Sequence, residues 1–352
     1  MMPRRGQTWR VSNSRMNTVT LPTHTPQLFD EAVERAAARL RAGELVALPT
    51  ETVYGLAANA FDAAAVEKIF AVKGRPSHNP IIVHVADLAM ARQCVQEWPA
   101  AAEKLAKAFW PGPLTLVLPR SSMVPDVVTA GGGTVGVRWP SHPFMQAVIR
   151  SCGFPLAAPS ANVSNAVSPT NASHVQRSLG GRIPLIIDGG QAQVGIESTV
   201  VDLGGARARV LRPGMIHAGS LAAALGAAVA EEEGDADGDE ALRSPGLLPK
   251  HYAPKAKLLL WSWEDEEDLL RQVKGRIAHG SSVHVIAHTH IPSGRELQSV
   301  SVIPHDAEAF ARAIYGELHR CDAEGADFIV VEMLPEGNEW RGVADRLARA
   351  GR

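Results

Sequence analysis

The sequence predicts an α/β protein in two parts. An N-terminal domain is built on a twisted, mixed open sheet, and a linker joins it to a smaller Rossmann-like α/β domain. Three observations carry this. Short apolar runs alternate with segments of helical period as far as residue 212, a block of carboxylates then interrupts the pattern, and strand–helix alternation resumes beyond it.

The first helix spans Pro26–Ala42, where Leu28, Phe29, Val33, Ala36 and Leu40 recur at helical spacing. Thr25 suits the N-cap, Pro26 the first turn, and Gly43 the stop. Leu45–Leu48 follows as a short strand ending at Pro49. A helix over Ala63–Val72 then precedes the strand Ile81–Val85, and helices within Leu88–Phe109 precede Leu114–Leu118. Further strands fit Thr134–Arg138, Leu156–Ala158, Leu185–Ile187, Thr199–Leu203 and Arg209–Leu211, with helices at Pro143–Cys152 and Ala172–Leu179. Seven carboxylates fall within the ten residues Glu231–Glu240, so mutual repulsion makes this stretch a solvated linker. Beyond it come strand Leu258–Trp261, helix Glu264–Ile277, strand Val283–Ala287, helix Ala307–Cys321, strand Phe328–Met333 and a last helix near Asn338–Ala348. The first junction there, Ser262-Trp263-Glu264-Asp265, lacks a glycine fingerprint, so dinucleotide binding is not expected. The expected divisions are 1–25 (a disordered extension), 26–217, 218–255 (linker) and 256–352. The extension carries Arg4, Arg5, Arg10 and Arg15 and no acidic residue, as an organellar transit peptide also can, and Met16 is another candidate start.

The 352 residues suit two or three domains with a substantial core. With 35 basic and 37 acidic residues the formal net charge is −2, which argues against a protein coating nucleic acid through bulk charge but not against a local basic pocket. The mixed composition excludes collagen, coiled coil and wholesale disorder. No apolar run reaches the roughly eighteen residues of a membrane span. Cys94, Cys152 and Cys321 are far apart and form no CxxC pair, so neither a disulfide framework nor a zinc site is expected, and the cytoplasm is the natural compartment.

Chemistry concentrates where strands end. Pro49-Thr50-Glu51-Thr52-Val53-Tyr54-Gly55 projects hydroxyls, a carboxylate and a phenol from one strand end. Lys73-Gly74-Arg75 sits in a Pro-bounded loop with Asn79, where a point charge and a planar fork can converge on one anion, although two loop cations are more often merely solvated. His84 lies inside an apolar strand, a place more often filled by a core histidine than a ligand. Arg138 and Arg212 each end a strand before proline or Trp-Pro; arginine is costly to bury without an anion, so the pair points to a basic cleft, with surface salt bridges the equally good alternative for either alone. Pro155–Asn162, with Ser164, Ser168 and Thr170 downstream, offers hydroxyls and backbone N–H groups suited to phosphate or a purine edge. Asp188 and Glu197 sit in another strand-end loop and suit either a metal or turn capping. There is no GxxxxGK[ST] loop, GxSxG elbow, HExxH or kinase signature.

Seven separated segments in this order resemble the YrdC-like superfamily, in its long two-domain form, the threonylcarbamoyl-adenylate synthases. They are PTETVYGL at Pro49–Leu56, KGRPSHNP at Lys73–Pro80, FWPGPLT at Phe109–Thr115, VGVRWPSHP at Val135–Pro143, APSAN at Ala158–Asn162, IESTVVD at Ile196–Asp202 and LRPG at Leu211–Gly214. Ser244-Pro245-Gly246 with Lys250–Pro254 resembles the linker of that form, with a less polar filling at Leu247-Leu248-Pro249.

The resemblance implies a nucleotidyltransferase making threonylcarbamoyl-AMP and pyrophosphate from L-threonine, bicarbonate (or carbon dioxide) and ATP. Its product passes to the tRNA threonylcarbamoyl transferase machinery, which modifies tRNAs reading ANN codons. It implies Lys73 and Arg75 as catalytic, Lys73, Arg75, Asn79, Thr134, Ser160, Ser168, Arg212 and Tyr252 for ATP, and Thr52, His84, Arg138, Ala158 (by its backbone) and Ser198 for threonine. Tyr252 would close over the nucleotide as a lid. Mg²⁺ is implied with ATP, held by phosphates and water without a protein cage. A hydrogenase-maturation relative is set aside because its zinc motifs need more cysteines. An RNA-binding module is disfavoured by the near-neutral charge, direct tRNA contact being left open.

Overall fold

The computed structural model describes residues 16–231, 251–293 and 296–352. Its first part runs β1 (Val19–Pro22), α1 (Pro26–Arg41), β2 (Val46–Leu48), β3 (Gly55–Asn59), α2 (Ala63–Lys73), β4 (Val83–His84), α3 (Leu88–Cys94) and α4 (Ala100–Phe109). It continues through β5 (Leu114–Pro119), α5 (Asp126–Thr129), β6 (Thr134–Arg138), α6 (Pro143–Cys152), β7 (Leu156–Ala157), α7 (Ala172–Leu179), β8 (Leu185–Asp188), β9 (Thr199–Asp202), β10 (Arg209–Arg212), α8 (Ala218–Leu225) and β11 (Ala230–Glu231). The second part holds β12 (Lys257–Trp261), α9 (Glu266–Arg276), β13 (Val283–Ala287), β14 (Ser299–Val302), α10 (Ala307–Ala323), β15 (Phe328–Glu332) and α11 (Arg341–Ala350).

The first eleven strands form one mixed sheet, ordered β1-β8-β2-β3-β7-β4-β6-β5-β9-β10-β11, and the last four a wholly parallel sheet, ordered β12-β15-β13-β14. Helix α1 forms as its sequence dictates. Thr25 Oγ1 accepts the Leu28 N–H at 3.2 Å, and Ala32, Ala36, Ala37 and Leu40 face the core. That face meets Phe144, Met145, Val148 and Ile149 of α6, with Phe29 edge-on to Phe144 at 5.1 Å. No helix among the described residues is long and apolar enough to cross a membrane.

Two expected divisions need correction. The extension expected over residues 1–25 is strand by Val19: β1 pairs in parallel with β8, and Val19 and Leu21 pack beside Phe29 and Val33. Its short Val-Thr-Leu run carries too little periodicity to stand out. The linker expected from 218 likewise begins as part of the first domain, because α8 buries Leu221 and Leu225 in the main core and β11 pairs with β10. Residues 1–15, the rest of the acidic run from Glu232, and the Ser244–Lys250 motif lie outside the described residues. Strands β3 and β14 were not expected; Gly55-Leu56-Ala57-Ala58-Asn59 lacks β-branched residues, and only its neighbours β2 and β7 make it a strand.

The two domains dock through backbone. Gly195 (φ +86°) admits helix α10 so closely that a Cβ there would stand 2.3 Å from the Ala311 carbonyl oxygen. At Gly342 a Cβ would stand 3.0 Å from the Gly214 carbonyl carbon, so α11 sits directly on the turn after β10. His319 of α10 stacks on His174 of α7 at 3.9 Å, and its Nε2 lies 3.1 Å from the Ser168 carbonyl oxygen. In the second sheet, the carboxylate of Glu332 accepts the N–H groups of His288 (2.7 Å), Thr289 (2.8 Å) and His290 (3.0 Å).

Replacing Gly195 by Ala should lower stability by about 1–3 kcal/mol in urea unfolding, through overpacking as well as its left-handed φ. Gly74→Ala, with nothing within 4 Å of its Cβ, should cost less. Acid should act at the histidine stack. Burial lowers the pKa of His174 to about 3 and of His319 to about 4, against 6.5 ordinarily. The unfolded chain therefore binds protons first, so this stability is full above pH about 6.5 and is lost as pH falls toward 4. Measured by urea unfolding between pH 6.5 and 5, His319→Gln should flatten the decline, by up to roughly one proton.

Candidate active site

A cleft of about 540 Å³ opens where β2, β4, β6 and β10 end. The sheet itself assembles one side: β4 and β6 run parallel in a register that sets His84 beside Arg138. An isolated bridge between Gly55 and Ser160 brings the Ser-rich loop to the next edge. Gly55 permits this, since a Cβ there would already lie 3.2 Å from that of Ala158. Of the residues expected at the site, Thr52, Arg75, His84, Arg138, Ala158, Ser160, Ser198, Arg212 and Tyr252 line this cleft, joined by Thr50, Glu197 and His251.

The remaining four stand elsewhere. Lys73 lies behind the wall, its Nζ donating to the carbonyls of Ser160 and Asn162, both at 2.5 Å. Two of its three N–H donors thereby fix the Ser-rich loop. Asn79 braces Arg75, its Oδ1 accepting from Nη2 at 2.7 Å while the Pro80 carbonyl accepts from the same nitrogen. Ser168 donates to Glu197 at 2.6 Å. Thr134 lines a separate small cavity with Thr115, Thr129 and Ile82.

The cleft splits into two electrostatic halves. In the first, Arg138 is buried and held on three sides. Nη2 lies 2.8 Å from Glu51 Oε1, Nη1 donates to Thr52 Oγ1 at 2.9 Å, and Nε donates to the Gly112 carbonyl at 3.3 Å. Burial alone would raise the pKa of Glu51, but Arg138 and the Ser141 N–H hold it below the ordinary carboxylate value. Burial and the neighbouring Arg138 charge lower the His84 pKa to about 3, which favours the neutral ring, and its Nδ1 has no hydrogen-bond partner among the described residues.

In the second half, Arg75 and Arg212 approach the linker residues His251 and Tyr252. Burial lowers the Arg75 pKa to about 10, with Arg212 adding like-charge repulsion. Burial and Arg75 push Lys73 well below its ordinary value. Arg212 donates through Nε and Nη2 to the Ser198 carbonyl at 3.2 and 3.0 Å, while Ser198 Oγ lies 2.8 Å from Thr115 Oγ1. Tyr252 is buried with φ +62°, a conformation that costs a non-glycine residue energy and recurs where a side chain is forced into a site. Ala253 secures it, donating its N–H to the Asn165 carbonyl at 2.9 Å. Glu197, in the wall beside it, accepts from Ser168 and from Arg346 Nε at 2.8 Å.

Sequence reasoning missed Glu51 and Glu197 as the partners of the buried arginines. It left Glu197 as a metal ligand or turn cap, and weighed Asp188 alike; Asp188 caps a turn at Gly190 N–H. It also missed His251, Tyr315 and Arg346. A signal for the carboxylates was present: each stands within two residues of a predicted ligand-binding hydroxyl. No group of three or more metal-ligating side chains occurs among the described residues.

Comparison with known proteins adds the family. A family model described as Telomere recombination, Sua5_yciO_yrdC, matches residues 38–214, and another, Threonylcarbamoyl-AMP synthase, C-terminal domain, matches 216–351. The chain is 39% identical to the threonylcarbamoyl-AMP synthase of Pyrococcus abyssi, over 90% of this chain and 92% of that one. It is 39% identical to the protein of the same name in Bacillus subtilis, over 95% of each. The structure of P. abyssi Sua5 complexed with L-threonine superposes with a TM-score of 0.85, at 37% identity, over 95% of this chain and 97% of that one. Two domains in one order, six of the seven motifs on one cleft and likeness along nearly the whole chain agree: the chain belongs to the Sua5/YciO/YrdC family, in the form that carries the C-terminal domain.

Proposed function

We propose that this protein is an L-threonylcarbamoyladenylate synthase, converting L-threonine, bicarbonate or carbon dioxide, and ATP to threonylcarbamoyl-AMP and pyrophosphate. The observation that carries the reading is the convergence of Arg75, Arg138 and Arg212, from the loop after α2 and the ends of β6 and β10, on one cleft. Its likeness to synthases of that name supports it. The reaction joins two anions, the N-carboxylated threonine and the triphosphate, so a site for it needs buried positive charge.

The threonine half would be Thr52, His84, Arg138, Ala158 and Ser198. Glu51 fixes the plane of the Arg138 guanidinium, which then presents a fork to the amino-acid carboxylate. Neutral His84 can accept or donate a hydrogen bond without adding charge. The Ala158 N–H already donates to the Ile82 carbonyl, so a contact there falls to its own carbonyl.

The ATP half would be Arg75, Arg212, Ser160 and Tyr252, with Lys73, Asn79, Ser168 and Thr134 setting its walls or reaching in as the nucleotide settles. The threonine nitrogen bonds to the carbon of carbon dioxide and loses a proton, or to that of bicarbonate as the C–OH bond breaks, its proton leaving with that hydroxide as water. A carboxylate oxygen of the product attacks the α-phosphorus in line, and the bond to pyrophosphate breaks. Little covalent work falls to the protein; orientation and charge neutralisation do the rest. Tyr252 would exclude water from the hydrolysable mixed anhydride. Mg²⁺ would come with ATP, ligated by phosphates and water, since the cleft-lining carboxylate Glu197 is already engaged by Arg346 and Ser168. The product would pass, in the cytoplasm, to the machinery that transfers threonylcarbamoyl to the adenosine of tRNAs reading ANN codons.

Mass spectrometry of products formed from ATP, threonine and bicarbonate tests the activity; no threonylcarbamoyl-AMP from folded enzyme would refute it. Arg138→Ala should raise the KM for threonine by at least about tenfold, as expected for losing a charge-assisted pair, with a smaller change for ATP. Lys73→Ala should abolish turnover with the fold intact by circular dichroism.

A further inference from the structure

No residue of α9–α11 lines the cleft, yet two side chains of the C-terminal domain reach the back of its wall. Arg346 of α11 is wholly buried. Besides its ion pair with Glu197, it donates through Nη2 to the carbonyl of Pro213, the residue after Arg212, at 3.0 Å. Its guanidinium carbon stands 5.3 Å from the centre of the Tyr252 ring. Tyr315 of α10 donates its hydroxyl to Glu197 Oε2 at 3.0 Å and stacks on Tyr252 at 6.0 Å between ring centres. The same two side chains thus hold a cleft-lining carboxylate, the backbone beside a cleft-lining arginine, and the linker ring. All three belong to the Arg75–Arg212 half, whereas Arg138 is held by Glu51, Gly112 and Thr52, and neither side chain of the pair reaches it.

Resting on the function proposed above, we infer that Arg346 and Tyr315 are positioning residues for the nucleotide half of the cleft: the docked C-terminal domain sets Glu197, Arg212 and Tyr252 where ATP is bound. Gly342 serves the same end, since α11 packs directly on Gly214, two residues after Arg212, with no Cβ between them. A merely structural brace would loosen both halves together; this arrangement affects one.

The test uses the full-length enzyme. Tyr315→Phe removes one O–H donor and keeps the ring, so its fold is secure. Arg346→Met keeps much of the volume and removes the fork. By pyrophosphate release, the KM for ATP should rise about fivefold in Tyr315→Phe and at least about tenfold in Arg346→Met, with the threonine KM within about twofold. The Kd of α,β-methylene-ATP, measured by calorimetry, should weaken in parallel. Equal rises in both KM values, or none in folded variants, would overturn the inference, and if Arg346→Met fails to fold, Tyr315→Phe decides alone. Wild-type enzyme without threonine-dependent turnover would remove the proposed function instead. The α,β-methylene-ATP affinities then still decide the positioning role, an unchanged Kd in both variants refuting it.

Discussion

Burial of positive charge governs this molecule. Lys73, Arg75, Arg138 and Arg212 are all withdrawn from water, and each would be strongly destabilising without compensation. The chain meets the cost unevenly. Arg138 receives a full carboxylate from Glu51, while among the described residues Lys73 and Arg75 receive carbonyl and amide oxygens, neutral groups that orient a cation without cancelling it. Around Arg75 the compensation among the described residues is thus by neutral oxygens, and an anionic ligand would add the opposite charge. Pre-formed charge of this kind needs no reorganisation when a reactant arrives.

Much of the framework could be read from residue order. Helices α1 and α6 carry caps and apolar stripes that determine them locally, and the arginines ending β6 and β10 attract notice because a cation seldom closes an apolar strand without a reason. What could not be read is which anion each cation meets. Glu51, in the loop after β2, meets Arg138 at the end of β6 although those strands are not neighbours in the sheet, and Glu197 meets Arg346 across 149 residues of chain. Periodicity reports which face of an element is buried, not what lies opposite. For the same reason, β1 and β3 become strands only through their neighbours.

The linker residue Tyr252 illustrates how local cost and tertiary gain combine. Its backbone conformation is unfavourable for a side chain, yet its ring is clasped by Arg346, Tyr315 and His251. A residue so over-determined holds its place without help from its own φ preference, which is how strain persists at sites.

The Glu332 carboxylate bears on what the smaller domain is for. In open parallel sheets, ligand phosphates sit at strand carboxyl ends, cradled by loop amides. Here three consecutive amides, those of His288, Thr289 and His290, already grip an oxyanion supplied by the adjacent strand. The would-be cradle is furnished from within, its three amides already spent on a carboxylate of the same sheet.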